Sequence, residues 1–390
     1  MLRMSFLLLM AALLTIPLAA AEKPRARDLG VPFEGTPGPL NAITDVAGLE
    51  VGHTTLISGE GKLQRGIGPV RTGVTAIWPR GREHSSDPAF GGWFSLNGNG
   101  EMTGTTWVEE SGFVDGPVLI TNTHSVGAVR DAYIKWLVGK ELRPGTNDRS
   151  TSFFALPIVA ETFDGFLNDV NGFHVKEEHV VNALETARPG PVPEGNVGGG
   201  TGMVCYGFKG GIGTSSRVAG DFRVGVLVQC NCGRRPQLRI AGVPVGVEIP
   251  DNVPFAREAS WIHEDVGSII IVVATDAPLL PHQLKRLARR ASLGLARTGA
   301  TSGNSSGDIF IAVSTANSGS AASQGIVNLR MVPNDQMDAL FESTVQATEE
   351  AIVNAMVAAE TMTGVDNHKV TALPHDRLRE VMREYHRGAR

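Results

Sequence analysis

The chain has 390 residues, 42% hydrophobic and 19% charged, which is enough apolar material for one large domain or two modest ones. Its formal net charge of −5 excludes the basic surface that attracts nucleic acid. The three cysteines, Cys205, Cys230 and Cys232, contain no CxxC pair. We therefore expect neither a metal site nor a disulfide framework, and we expect Cys230 and Cys232 to be core residues.

Residues 1–21 have the features of a secretory signal peptide. Arg3 gives a basic start, residues 6–18 form an apolar run, and three alanines at 19–21 suit a cleavage site. The run is short for a membrane span, and charged residues follow from Glu22. We expect a periplasmic protein that starts near Glu22 and does not contact the membrane after signal removal; an uncleaved anchor is the alternative.

A Pro/Gly-rich arm over residues 22–41 precedes a series of short strand and helix patterns. Apolar runs predict strands at residues 43–53 (after a turn), 70–78, 117–121, 153–159 and 222–231. Helical spacing predicts a helix after residue 121 and a second over 174–181; the apolar face of the first comprises Val126, Val129, Tyr133 and Leu137. The glycine-dense residues 90–94 and 97–100 predict turns.

Two further glycine-rich stretches cover residues 198–203 and 209–217. Neither matches a P-loop or a dinucleotide-binding fingerprint, so we expect no nucleotide cofactor. Glycines that let the backbone approach a small substrate, or structural turns, are the two interpretations of these stretches.

The last third of the chain begins with a loop pattern over residues 233–262, followed by a buried central strand from Ser268. A helix is predicted from Pro281, with Gly299 as its stop, and a strand at 309–313. A long helix is predicted over 335–361. The inward positions of the two helices are Leu284, Leu287, Ala291 and Leu295, then Leu340, Val345, Ile352 and Met356. Because strands and helices do not alternate strictly, the pattern favours α+β layering.

The step from Gly267 to Ser268 fits a chain that cuts itself. The sheet fixes the side chain of a strand-opening serine, and the preceding glycine allows backbone angles closed to other residues. The Ser268 hydroxyl would attack the Gly267 carbonyl, and hydrolysis of the resulting ester would leave Ser268 as a new N-terminus. That residue would carry both a nucleophile and an α-amine base with a pKa near 8. An ordinary loop exit is the alternative for these two residues.

Three more polar residues are candidates for catalysis. Ser306 and Asp308, two apart at a strand start, can face one side, where the hydroxyl could relay a proton and the carboxylate could hold a protonated amine. Asn231, at the end of a predicted strand, has an amide suited to an oxyanion hole. The alternatives are a turn cap for the first two and a strand-to-turn residue for Asn231. The chain contains neither an HExxH nor a GxSxG motif.

These motifs together resemble the L-aminopeptidase D-amidase/D-esterase family, which includes the β-peptidyl aminopeptidases. The resemblance covers essentially the whole mature chain. It is carried by residues 267–284 (GSIIIVVATDAPLLPHQL) and 304–308 (NSSGD), and by the stretches 45–53, 160–169, 198–203, 209–217 and 347–355.

The resemblance implies an αββα sandwich, N-terminal-nucleophile-like, whose precursor self-cleaves into an α chain (22–267) and a β chain (268–390) of one domain. It also implies a homo-oligomer of such heterodimers and no cofactor. By position, Ser268 would be the nucleophile, Ser306 and Asp308 its supporting groups, and Asn231 an oxyanion donor. The substrate would contact Glu161, Phe163, Gly199 and Gly200.

Two positions depart from the family pattern. Phe163 stands where members often have a tyrosine with a proposed oxyanion role, so that donor is absent or supplied elsewhere. Asp308 is one methylene shorter than the glutamate of β-peptidyl relatives, a change that can alter preference between α- and β-amino acids.

The sequence therefore predicts a periplasmic serine aminopeptidase or amidase that removes N-terminal residues from short peptides, amides or esters with a free amine, D- or β-amino acids among them. An acyltransferase resembling the ornithine acetyltransferases is one alternative, although those enzymes use threonine at the cleavage point. A non-catalytic periplasmic ligand-binding protein that uses the glycine loops is the other.

Overall fold

A computed structural model describes residues 23–140, 154–254, 267–322 and 324–388. The predicted signal peptide, the start of the strand predicted at 153–159 and part of the loop predicted at 233–262 lie outside the described residues. The strands are β1 (Glu50–Ser58), β2 (Val70–Trp78), β3 (Ala89–Gly98), β4 (Phe113–Val114), β5 (Val118–Asn122), β6 (Ile158–Thr162), β7 (Val204–Cys205), β8 (Phe208–Lys209), β9 (Gly211–Ala219), β10 (Phe222–Asn231), β11 (Ser268–Thr275), β12 (Gly307–Ser314), β13 (Met362–Thr363) and β14 (Lys369–Val370). The α-helices are α1 (Thr105–Ser111), α2 (Val126–Gly139), α3 (Glu177–Glu185), α4 (Val245–Glu248), α5 (Pro281–Arg297), α6 (Asp338–Val357) and α7 (His375–Glu384).

Two sheets form the centre of the molecule. The first has the order β1-β2-β5-β6, and the second has the order β4-β3-β12-β11-β10-β9. Apolar side chains from their facing surfaces, such as Ile120 and Ile270, make one core. Helices α2 and α3 cover the outer face of the first sheet, and α5 and α6 cover that of the second. The result is the predicted αββα sandwich, an α+β fold.

Strand β11 lies inside the second sheet, antiparallel to β10 and parallel to β12. All eight of its residues are buried. Ile270 and Val272 face the core between the sheets, while Ile269 and Ile271 face the helix layer. Burial on both faces explains the unbroken β-branched run, because neither face of this strand contacts water.

The helices around this sheet follow the predicted pattern. The predicted inward residues of α2, α5 and α6 are all buried. Gly299 follows α5 with a φ of +95°, the left-handed conformation expected just beyond a helix end. In the part of the chain that the structure describes, no helix combines the length and the apolar character needed to cross a membrane.

The glycine-rich residues 90–94 lie within strand β3, so the prediction of a turn there is wrong. Strand β9, at an edge of the sheet, contains most of the glycine-rich stretch 209–217. A Cβ on Gly92 would lie 2.8 Å from the Pro281 carbonyl oxygen of α5, and one on Gly213 would lie 2.6 Å from the Ala355 nitrogen of α6. These glycines therefore let the helices pack directly onto the sheet backbone.

The strand predicted at 153–159 begins later, as β6 at Ile158. Phe154 is 78% exposed and lies outside the strand. The apolar residues before Ile158 explain why the pattern predicted an earlier start; those that the structure describes, residues 154–157, do not pair with β5.

The expectation of no disulfide is wrong, because Cys205 and Cys230 are bonded. The short strand β7 crosses the end of β10, where the Tyr206 N–H donates to the Cys232 carbonyl at 2.7 Å. Because the two strands cross there, Cys205 lies next to Cys230. Both cysteines are buried, and their contact depends on the tertiary structure and not on a recognisable sequence spacing.

Candidate active site

Ser268 opens β11 and lies between two strand neighbours. It pairs with Asn231 on β10 and with Gly307 on β12, and it is only 6% exposed. The Gly307 N–H donates to Ser268 Oγ at 3.1 Å, which fixes the hydroxyl. Because paired residues on neighbouring strands project from the same face, Ser268 and Asn231 both start from the face toward the other sheet.

Gly267 lies against the end of β10. A Cβ at this position would lie 2.5 Å from both the Asn231 carbonyl oxygen and Cys232 Cα. The requirement is for space next to Asn231 and Cys232.

Both ends of the Asn231 amide are held in place. Its Oδ1 accepts the Val204 N–H at 2.7 Å, and its Nδ2 donates to the Phe163 carbonyl at 3.0 Å. A primary amide carries two N–H donors, so Nδ2 retains one for an oxyanion formed beside Ser268.

Ser306 and Asp308 form a buried pair next to Gly307. The Ser306 hydroxyl donates to Asp308 Oδ1 at 2.7 Å, so the two side chains share a side, as their spacing predicts. Asp308 is paired with Ile269, whereas Gly307 is paired with Ser268. The Asp308 side chain therefore starts from the helix face of the sheet, opposite to the Ser268 hydroxyl.

Glu161, near the end of β6, brings a carboxylate close to the start of β12. It is 4% exposed, and it accepts the Glu101 N–H at 3.0 Å and the Thr123 hydroxyl. A Cβ on Gly100 would lie 3.3 Å from Glu161 Oε1 and 3.0 Å from Gly307 Cα, which shows how close this carboxylate is to the start of β12. Burial raises the pKa of Glu161, and the two hydrogen bonds oppose that shift.

The other predicted substrate contacts lie at different depths. Phe163 is 40% exposed, and its carbonyl holds Asn231, so its ring lies at the rim of the site. Gly199 and Gly200 are buried in a 3-10 turn. A Cβ on Gly199 would lie 2.8 Å from the Ile120 carbonyl, and one on Gly200 would lie 2.5 Å from the Ile212 nitrogen. Neither position therefore has room for a side chain, and both glycines let the turn pack directly against the strand backbones.

Two polar residues near this site, Thr123 and Lys209, were not predicted from the sequence. Thr123 follows β5 and bonds Glu161 at the end of β6; because β5 and β6 are parallel, their ends share one edge, a signal that was available. Lys209 is fully buried and donates to the carbonyls of Met203 (2.8 Å) and Gly210 (2.9 Å). Burial lowers the pKa of Lys209 to about 7. Lys209 thereby anchors the glycine-rich turn below the site.

The fold matches solved structures of hydrolases over nearly the whole chain. One is the L-aminopeptidase D-Ala-esterase/amidase from Ochrobactrum anthropi, a prototype for the serine aminopeptidases with a variant of the Ntn hydrolase fold; it is 50% identical, has a TM-score of 0.86, and the match covers 94% of this chain and 100% of that one. Another is a Burkholderia sp. beta-aminopeptidase, 48% identical with a TM-score of 0.82 over 93% of this chain and 99% of the other. The protein is thus a hydrolase with the N-terminal-nucleophile fold.

The family follows from the sequence comparisons. The model of peptidase family S58 matches residues 41–370. The chain is 55% identical to the beta-peptidyl aminopeptidase BapA of Sphingosinicella microcystinivorans over 399 aligned positions, which cover 99% of this chain and 98% of the relative. A second BapA, from Sphingosinicella xenopeptidilytica, is 52% identical over 94% of this chain and 92% of its own length. This chain belongs to peptidase family S58, which confirms the resemblance inferred from its motifs.

Proposed function

We propose that this chain is a periplasmic, self-processing serine aminopeptidase or amidase whose nucleophile is Ser268. The observation that carries the proposal is the placement of Ser268: the residue is buried at a strand start, its hydroxyl is fixed by the Gly307 N–H, and Asn231 is its partner residue on the neighbouring strand. The names of the relatives, beta-peptidyl aminopeptidase and L-aminopeptidase, support exopeptidase activity. Periplasmic location rests on the signal-like residues 1–21.

Self-processing is an intramolecular acyl shift followed by hydrolysis. Ser268 Oγ bonds to the Gly267 carbonyl carbon and loses its proton, and the peptide C–N bond breaks as the Ser268 nitrogen takes up a proton. Water then cleaves the ester, which leaves a carboxylate on Gly267 and a free hydroxyl and α-amine on Ser268. Because Ser268 Oγ is already held in the uncut chain, little further ordering is needed for the attack.

Turnover on a substrate repeats the same bond changes at the same hydroxyl. The free α-amine of Ser268 accepts the hydroxyl proton as Oγ attacks the substrate carbonyl, and it returns that proton to the leaving amine or alcohol. The Asn231 N–H stabilises the oxyanion of each tetrahedral intermediate. Water releases the acyl group in the second half of the cycle.

Glu161 explains why a free N-terminus would be required. It is a buried carboxylate close to Gly100 and to the start of β12, next to Ser268, and its described hydrogen-bond donors are the Thr123 hydroxyl and the Glu101 N–H. A substrate ammonium in this position would form a charge-assisted hydrogen bond. Asp308, the carboxylate predicted from the sequence to hold the amine, starts from the opposite sheet face. It bonds Ser306, the residue before Gly307, whose N–H donates to Ser268 Oγ.

The substrates proposed are short peptides, amino-acid amides and esters with a free amine, including D- or β-amino acids, because relatives bear those names. We further propose that the cut protein is an αβ heterodimer that assembles into a homo-oligomer.

The intact mass of the purified protein under denaturing conditions, with N-terminal sequencing of each fragment, tests the proposal. We expect two chains, the smaller one beginning Ser-Ile-Ile-Ile, together with release of p-nitroaniline from amino-acid p-nitroanilides. One uncut chain that still hydrolyses these substrates would remove Ser268 as an N-terminal nucleophile. Acetyl transfer to ornithine without hydrolysis would favour the acyltransferase, and binding without turnover would favour a ligand-binding protein.

Gly267→Ala should slow self-cleavage about 10- to 100-fold, because the added methyl group must displace Asn231 or Cys232. Denaturing electrophoresis of samples taken at intervals after synthesis measures the uncut fraction. Gly127→Ala is the matched control, since a Cβ there meets nothing within 4 Å. Equal cleavage rates for the two variants would contradict the steric role of Gly267.

Asn231→Ala should lower kcat of the cut enzyme about 10²- to 10³-fold with little change in KM, because the lost donor acts on the oxyanion. Rates are normalised to the amount of cut chain. Asn182→Ala, which removes an exposed amide bonded to Thr54, should retain full activity. A loss confined to KM would assign Asn231 to substrate binding instead.

A further inference from the structure

The segment around Asn231 contains an arrangement of sulfur atoms that the proposed reaction does not use. Asn231 lies between Cys230 and Cys232 in the sequence, and its Oδ1 accepts from Val204, the neighbour of Cys205. The Cys205–Cys230 disulfide therefore joins the two backbone segments that hold the Asn231 amide. The sulfur atoms of all three cysteines are buried and lie within 4.8 Å of one another.

Strand β7, which supplies the Val204 N–H, is a small element. It has two residues and pairs with the equally short β8. Tyr206, directly after it, has a φ of +51°, a left-handed conformation in the tight turn between β7 and β8. Two hydrogen bonds made by Tyr206, to the Cys232 carbonyl and to Thr298 Oγ1 (2.7 Å each), fix the far side of this turn. The disulfide is the covalent link between β7 and β10.

We propose that the Cys205–Cys230 disulfide is a positioning bond for the oxyanion donor. By holding β7 against β10, it keeps the Val204 N–H on Asn231 Oδ1, and this contact sets the plane of the amide and hence the direction of Nδ2. The inference rests on the proposed role of Asn231 beside Ser268. An oxidising compartment such as the periplasm would allow the bond to form.

Cys232 provides the internal comparison. Its Sγ is 3.8 Å from Cys230 Sγ and is not part of the disulfide, although the residue adjoins Asn231 and is also buried. Replacing it removes a neighbouring sulfur of the same kind and leaves the link between β7 and β10 intact.

The first test is a map of the thiols in the purified protein, alkylated under denaturing conditions without reductant. We expect one alkylated cysteine, Cys232, and a cross-linked peptide pair that contains Cys205 and Cys230; reduction should expose all three thiols. Three alkylated thiols before reduction, or a stoichiometric thiophilic metal ion found by elemental analysis, would overturn the proposal. The map does not depend on any enzymatic activity, so it stands apart from the proposed function.

The second test is a double-mutant cycle on the cut enzyme. Cys205→Ala/Cys230→Ala should lower kcat about tenfold with KM little changed, a part of the loss expected when the oxyanion donor is removed. In an Asn231→Ala background, the same two replacements should cost less than about twofold, because the group that they position is gone. Cys232→Ala should change kcat less than about twofold.

The outcomes separate the possible failures. Losses that multiply in the Asn231→Ala background would show a merely structural role for the disulfide and overturn the proposal. If the double cysteine variant does not fold, the thiol map still decides whether the bond exists, and Cys205→Ala alone repeats the cycle. A wild-type protein without hydrolytic activity would instead refute the proposed function.

Discussion

Ser268→Ala is expected to give one uncut chain with no measurable hydrolysis of amino-acid p-nitroanilides. The same hydroxyl attacks the Gly267 carbonyl in processing and the substrate carbonyl in turnover, so both reactions lose their nucleophile. Loss of a serine nucleophile costs about 10⁶-fold in kcat in serine proteases, which would put the remaining rate below detection. Intact mass and a hydrolysis assay on the same preparation measure the two losses together.

Ser314→Ala is the matched control for this prediction. Ser314 is also a buried serine at a strand end of the same sheet, where its hydroxyl donates to the Ala277 carbonyl at 2.7 Å. Its replacement should cost about 1–3 kcal/mol of stability through the unsatisfied carbonyl and leave both cleavage and activity in place. A Ser268→Ala chain that is cut, or that is uncut and active, would refute the assignment of the nucleophile.

Glu161→Gln is expected to lower kcat/KM for substrates with a free amine by about 10²-fold or more. Removing one partner of a buried charge pair costs about 2–5 kcal/mol, and glutamine retains the size and one acceptor of the side chain but not its charge. The informative quantity is the ratio of kcat/KM for a free-amine ester to that for the same ester without the amine. We expect this ratio to collapse in the variant.

Asp308→Asn separates the two carboxylates. Asp308 bonds Ser306, next to the Gly307 N–H that holds Ser268 Oγ, so its replacement should lower the rates for both esters. The ratio of the two rates should not change, because Asp308 starts from the sheet face opposite to the Ser268 hydroxyl. If the ratio falls in Asp308→Asn and is preserved in Glu161→Gln, Asp308 is the carboxylate that binds the substrate amine and Glu161 is not.

The acid limb of the pH profile provides a second measure of Glu161. Burial raises its pKa above the usual 4.5, and the charged form is the one that binds an ammonium. Substrate affinity is therefore lost as pH falls through this raised pKa, at a higher pH than for an exposed glutamate. Protonation of the Ser268 α-amine lowers the rates for both esters alike, so the Glu161 limb is measured in the ratio of kcat/KM for the free-amine ester to that for the ester without the amine. From pH 4 upward this ratio should depend on pH in the wild type and not in Glu161→Gln.

The parts of the fold that local patterns describe were predictable from the sequence. The composition of strand β11 is typical of a strand buried on both faces, and that of helix α5 is typical of a helix buried on one face. The structure confirms both predictions. The family resemblance, carried by motifs spread along the chain, supplied the arrangement of the layers. Ser268, Asn231 and Gly307 meet because their strands are neighbours in one sheet.

The features that were missed depend on distances between elements. Gly92 and Gly213 lie in strands because a helix backbone packs on each of them, a reason that no local propensity contains. The Cys205–Cys230 bond depends on a loop crossing a strand end, and cysteine spacing alone does not define such a pairing. The approach of Glu161 to Gly307 depends on the spacing of the two sheets.

The order of strands in the second sheet determines how the cut enzyme would come apart and how long it would stay folded. Strands β11 and β12 would belong to the β chain, and their neighbours β10 and β3 would belong to the α chain. Separating the two chains would therefore break the hydrogen bonds of two strand pairs in the middle of a shared core. The precursor would fold as one molecule, but denatured enzyme would have to reassemble from two. Its durability would then be set by the rate of unfolding rather than by an equilibrium, and each cut molecule would fold only once.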